Sequence, residues 1–158
     1  MPCVWISTWF GAGLMARAPG TWGSLAALPF AWVLHEFGGP IALACAAVIL
    51  YFPGVWAANG YMAGSGEHDP GPVVVDEVVG QWLVLAVIPA PDFVLYVLGF
   101  ALFRLFDILK PWPISWADQN IAGGHGVMFD DVLAGVAGAV ALIAIQVYIW
   151  PGVWSLSW

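Results

Sequence analysis

The chain has 158 residues, of which 62% are hydrophobic and only 8% charged, with a formal net charge of −7 and a mean hydropathy of +0.90. Soluble domains carry about 25% charged residues, so the composition excludes an ordinary water-soluble protein and points to one integral membrane domain spanning residues 1–158. The absence of a basic patch argues against a nucleic-acid partner. Cys3 and Cys45 have no framework spacing and read as free thiols. The amino terminus, MPCVWISTWF, lacks the positive n-region of an ordinary signal peptide.

Eleven of the 13 charged residues fall in three polar islands, at residues 11–25, 64–80 and 104–135. The first contains Arg17 and the turn signal Pro19-Gly20. Thr21, with Ser24 three residues later, is expected to cap an apolar helix beginning near Leu25. Such a helix start is also a seat for an anion. The helix should break at Gly38-Gly39-Pro40, and a second apolar run over residues 41–56 should kink or end at Pro53-Gly54.

The second island leads through His68 into Asp76-Glu77 and a further apolar helix to about Ile88. After a turn at residues 89–92, the chain returns over residues 93–103 into the third island. Each arm of these two hairpins is expected to be about 11–17 residues, roughly 17–25 Å, which is marginal against the ~20 residues a span requires. Paired arms nevertheless make a round trip, so all three islands should meet at one membrane face. Residues 132–150 form the best single span. Its small residues Ala134, Gly135, Gly138 and Ala139 suit a central helix in close contact with its neighbours, and Trp150, Trp154 and Trp158 suit an aromatic anchor at the far interface.

Arg104, Asp107 and Lys110 recur every three residues, which places them near one helical face. That row is either a self-neutralising ladder or a phosphate clamp built from an arginine fork and a lysine charge. Gly123-Gly124-His125-Gly126 reads as a loop whose amides approach an anion. Asp76-Glu77 and Asp130-Asp131 sit near expected helix starts, where capping is one role. Converging carboxylates also make a hard oxygen site suited to Mg²⁺. His68 and His125 are candidate proton donors. No cysteine has an arginine six residues on, and Asp130-Asp131 lacks the Asp-x-Asp spacing of aspartate-nucleophile phosphatases.

Four motifs then carry a resemblance: APGTWGSL at 18–25, HDPG with DEVVG within 68–80, FRLFDILKPWPI at 103–114, and GGHGVM with DDVLAG within 123–135. Over roughly residues 9–141 the chain resembles the phosphatidylglycerophosphatase A family of bacterial membrane lipid phosphatases. It departs from the family at Met15-Ala16, where Ser-Pro is usual. The resemblance implies a bundle with one central helix surrounded by five, and Mg²⁺-dependent hydrolysis of phosphatidylglycerophosphate to phosphatidylglycerol at the cytoplasmic face of the inner membrane.

The sequence thus predicts an all-α membrane bundle of five or six helices around a central C-terminal helix. Asp76, Glu77, Asp107, Asp130 and Asp131 are the expected metal ligands. Asp76, Asp107, Asp130, Asp131 and His68 are the expected catalytic groups, with either water or an aspartate as nucleophile. Arg17, Thr21, Ser24, Arg104 and Lys110 are expected to bind the substrate phosphate. A divalent-cation or proton-coupled transporter using the same carboxylates is the alternative.

Overall fold

The computed structural model describes residues 2–67 and 70–149, and these contain six α-helices and no strand. Helix α1 (Pro2–Ser7) and a 3-10 turn (Ala12–Leu14) precede α2 (Pro19–Ser65), α3 (Val75–Leu85), α4 (Phe93–Leu109), the short α5 (Ile114–Asn120) and α6 (Gly123–Tyr148). Helices α2 and α6 are long and apolar enough to cross a membrane. Among the described residues the fold is all-helical, and these two helices suit a membrane setting.

Helix α2 is a hairpin in its own right. Gly39 is its one non-helical residue (φ 68, ψ −173), a backbone conformation open to glycine because it lacks Cβ. The arms, residues 19–38 and 40–65, double back, so that Gly20 lies against Glu77 while Asn59 reaches Gly124. At roughly 30 and 39 Å, these arms are longer than the sequence suggested. Two corrections explain the difference. Pro19, whose fixed φ suits the first helical position, starts the helix six residues before Leu25, with Ala18 rather than Thr21 at the N-cap. The second arm also continues through Pro53 to Ser65, and the missing Cβ of Gly54 leaves room for Met128 and Val75. By contrast, α3 has only 11 residues and is too short to span.

The last helix also starts earlier than expected. Gly123–Gly126 forms the first turn of α6, not a loop. Asn59 Oδ1 accepts a hydrogen bond from the Gly124 amide at 2.8 Å, and a Cβ on Gly124 or Gly126 would collide with the backbone carbonyl of Val55 or Ile121. The glycines therefore serve packing. Helix α6 touches α2, α3, α4 and α5 and is the central element. A Cβ on Gly135 would lie 2.6 Å from the Gly80 carbonyl oxygen, and one on Gly80 would lie 2.7 Å from the Asp131 carbonyl oxygen. This close α3–α6 approach brings Asp131 beside the start of α3.

The amino-terminal segment closes over that junction. The Val74 amide donates to the Ser7 carbonyl at 2.8 Å, Trp9 meets Trp82 edge to face, and Trp82 Nε1 donates to the Ala27 carbonyl at 3.1 Å. Cys3 and Cys45 are free. The expected anchor at Trp150, Trp154 and Trp158 lies outside the described residues.

Candidate functional site

A cavity of about 430 Å³ opens where α2, α3 and α6 begin and α4 ends. Six carboxylates line it (Asp76, Glu77, Asp107, Asp118, Asp130 and Asp131) against two cations, Arg104 and Lys110. Most of the cavity's acids are therefore not neutralised by the chain itself.

The acids divide into two kinds. Asp76, Glu77 and Asp131 each offer an oxygen within 4.8 Å of the others. Asp76 and Asp131 are buried, and Glu77 Oε2 is buried without a hydrogen-bond partner. Burial and the adjacent Glu77 charge hold Asp76 well above the usual carboxylate range. Burial and then Asp131 push Glu77 up to about 8, opposed by the Asp76 hydrogen bond and by Arg104. Carboxylates placed like this either retain protons or share a cation.

The remaining acids face the two cations. Arg104 Nη1 lies 2.5 Å from Asp107 Oδ2 and 3.8 Å from Glu77 Oε1. Lys110 Nζ donates to Asp118 Oδ1 and Asp130 Oδ2, both at 2.6 Å. Burial works against the Lys110 ammonium, but these two acids outweigh it and raise its pKa above the ordinary lysine value. Asp107 and Asp130, expected among the metal ligands, thus sit one step outside the three-acid cluster, each against a cation.

Lys110 also leaves the helical row that the sequence suggested. It is the C-cap of α4, in the left-handed region at φ 41, a conformation costing of order 1–2 kcal/mol for a residue with Cβ. The turn aims its side chain across the cavity towards α5 and α6 instead of along Arg104 and Asp107. Asp130 and Asp131 lie two turns inside α6, beyond reach of its N-terminal dipole, so capping does not explain them.

Several expected residues are not on the cavity wall. Arg17 is exposed and forms no ion pair among the described residues. Thr21 lies within the first turns of α2 and does not line the cavity. Ser24 is fully buried, its hydroxyl donating to the Gly20 carbonyl at 2.9 Å. His125 is exposed, with Nδ1 3.1 Å from the Tyr51 hydroxyl. His68 lies outside the described residues.

Two participants were missed. Asp118 holds Lys110 across the proline-rich break, and a lone acid in a short helix gave no periodic signal. Gly20 admits the Glu77 carboxylate and lies close to Arg104, because a Cβ there would collide with Glu77. The Ala-Pro-Gly turn was its only trace in the sequence.

Residues 5–146 match the PgpA family, described as Phosphatidylglycerophosphatase A. The Phosphatidylglycerophosphatase A of Escherichia coli (strain K12) is 43% identical over 143 residues, covering 90% of this chain and 81% of that protein. Its namesake in Haemophilus influenzae is 41% identical over 137 residues, covering 87% and 84%. A Bacteroides thetaiotaomicron protein named "Putative phosphatidylinositol-3-phosphatase" is 46% identical over 149 residues, covering 90% and 91%. No solved structure matches.

Proposed function

This chain belongs to the phosphatidylglycerophosphatase A family and is a phosphatase, and from that premise we propose that it hydrolyses phosphatidylglycerophosphate to phosphatidylglycerol and inorganic phosphate with Mg²⁺ as cofactor. We place it as a multi-pass protein of a bacterial inner membrane with the site facing the cytoplasm. The observation that carries the reading is the shared cavity: three clustered acids and two acid-held cations line one wall.

The donor set fits a hard divalent cation. Asp76, Glu77 and Asp131 supply only oxygen, and Glu77 Oε2 is buried and unpartnered, as suits a magnesium site. Bound there, Mg²⁺ would polarise the phosphoryl group and make a bound water more acidic. Arg104, oriented by Asp107 and Glu77, presents a planar fork to phosphate oxygens. Lys110, fixed by Asp118 and Asp130, adds a point charge where negative charge develops in transfer. Asp130 Oδ1 is buried without a partner, leaving it free to accept a proton from attacking water. The three basic residues all lie in the segments at the cavity end, which agrees with the positive-inside rule.

Phosphate release by the purified protein in detergent tests the reading, with phosphatidylglycerophosphate and phosphatidylinositol 3-phosphate compared, each with Mg²⁺ and with chelator. The expected result is Mg²⁺-dependent release, faster from phosphatidylglycerophosphate. Release that survives complete chelation removes the metal, and faster release from the inositol lipid reassigns the substrate. The transporter alternative has no support among the matched relatives, whose names are those of phosphatases.

A further inference from the structure

Helix α3 buries a glutamine that the chemistry above does not use. Gln81 has no exposed surface, and neither its Nε2 nor its Oε1 has a hydrogen-bond partner within the chain. A buried amide is unfavourable unless something satisfies it, and an apolar side chain would fill the same space without that cost.

The neighbours of Gln81 on α3 fix where it lies. Glu77, four residues earlier, is one turn away on the same face. Its carboxylate occupies the space beside Gly20 of α2 and reaches Arg104 Nη1 of α4 at 3.8 Å. Val74, on the α2 side of the same turn, packs on Gly23. On the α4 side, Gly80 faces Phe103 and Leu85 faces Gly99. Gln81 falls between these rows, so it enters the seam of α2 and α4 one turn from the Glu77–Arg104 pair.

That pair has orphans of its own. Glu77 Oε2 and Arg104 Nε are both buried without a partner, and both residues line the cavity. Gln81 Nε2 and Arg104 Nε are donors, whereas Gln81 Oε1 and Glu77 Oε2 are acceptors. Two donors and two acceptors at one level of the bundle are the complement of water, which offers both and commonly joins buried polar groups that do not touch directly.

We propose that Gln81 is a positioning residue of the site. Internal water held by its amide accepts from the Arg104 Nε–H and donates to Glu77 Oε2, which turns the arginine fork towards phosphate and steadies the carboxylate for the cation. The inference rests on the Mg²⁺ phosphatase reading above and extends its site one helical turn along α3. Partners of this kind orient the groups that touch a ligand.

Binding and turnover by the full-length protein in nanodiscs test this. Mg²⁺ and inorganic phosphate, each added alone, are titrated into the wild type, Gln81→Met, Gln81→Asn and Gln146→Met, and phosphate release from phosphatidylglycerophosphate is measured on the same samples. Gln81→Met keeps the size of the side chain and removes its amide. It should weaken both Mg²⁺ and phosphate binding about tenfold and lower kcat/KM by about the same factor. Gln81→Asn keeps an amide that water can still reach, and should stay within about threefold of the wild type. Gln146→Met removes a fully buried glutamine of α6 away from the cavity and should match the wild type throughout. Either affinity unchanged in Gln81→Met, or Gln81→Asn as weak as Gln81→Met, overturns the proposal.

Should Gln81→Met not fold, the side-chain amide resonance of Gln81 in the wild type decides by NMR. It should shift on addition of Mg²⁺ or phosphate while that of Gln146 stays in place, and a Gln81 signal that does not move overturns the proposal. If the wild type takes no Mg²⁺, the metal is discarded and the phosphate affinities alone decide. Affinities that follow expectation in a protein releasing no phosphate from phosphatidylglycerophosphate discard the substrate and keep the positioning role. Mg²⁺-dependent release with affinities untouched by Gln81→Met does the reverse.

Discussion

The two ends of the bundle bury polar groups of different kinds. Away from the cavity, His35 is 2% exposed and Tyr96 is 4% exposed, and the two form one hydrogen-bonded pair that joins α2 to α4, while His35 Nε2 and Gln146 Oε1 are buried there without a partner. At the cavity, Glu77 Oε2, Asp130 Oδ1 and Arg104 Nε are buried and unpaired, and acids outnumber cations. A buried polar group without a partner costs about 1–3 kcal/mol. The far end therefore buries an imidazole, a phenol and an amide that tie helices together, and the cavity end buries an excess of acids whose charge a cation can balance.

The comparison is easiest to break at the three clustered acids. Asp131→Asn or Glu77→Gln should reduce phosphate release by roughly 10²–10³-fold, the scale seen when a preorganised charge-stabilising group is lost, while the folded protein still extracts and melts as the wild type does. Chelation of the wild type should mimic these variants, and readdition of Mg²⁺ should restore the wild type alone. Full activity in either variant would remove that residue from the site.

Next comes Lys110→Ala, expected to cost about 10²-fold, chiefly in kcat. Asp118→Asn weakens the hold on Lys110 without removing its charge, and should cost about tenfold, within the range for residues that orient a primary ligand. If Asp118→Asn were as damaging as Lys110→Ala, Asp118 would act directly and not through the lysine.

The far end should respond in the opposite sense. His35→Leu orphans the Tyr96 hydroxyl and should lower stability by about 1–3 kcal/mol, seen as earlier thermal unfolding, with the phosphatase rate per folded molecule retained. The smallest effect belongs to Ser24→Ala. That hydroxyl bonds only within its own helix, so activity should match the wild type. A tenfold rise in KM would reinstate the phosphate-binding role that the sequence suggested.

The helical class, the hairpin returns and the convergence of the three islands were legible because hydropathy and charge segregate so sharply along this chain. Helix starts were less so. Thr21 looked like a cap because hydroxyls favour that position, but Pro19 took the first helical position and moved the cap three residues earlier, to Ala18. Gly123–Gly126 looked like a loop because glycine disfavours helix interiors, whereas here the missing side chains admit the Val55 and Ile121 carbonyls. The division of the acids into a cluster of three and the partners of two cations was not legible at all. It depends on the left-handed turn at Lys110 and on the Gly80–Gly135 contact between α3 and α6, which belong to tertiary structure.

The position of α6 also constrains how the protein is made. The helix that four others surround leaves the ribosome after all of them, so each of those segments waits without its common neighbour. Meanwhile α3, too short to cross alone, keeps polar ends that lipid cannot satisfy. A nascent chain halted before residue 131 lacks one of the three clustered acids, so the centre can be complete only once α6 has been made.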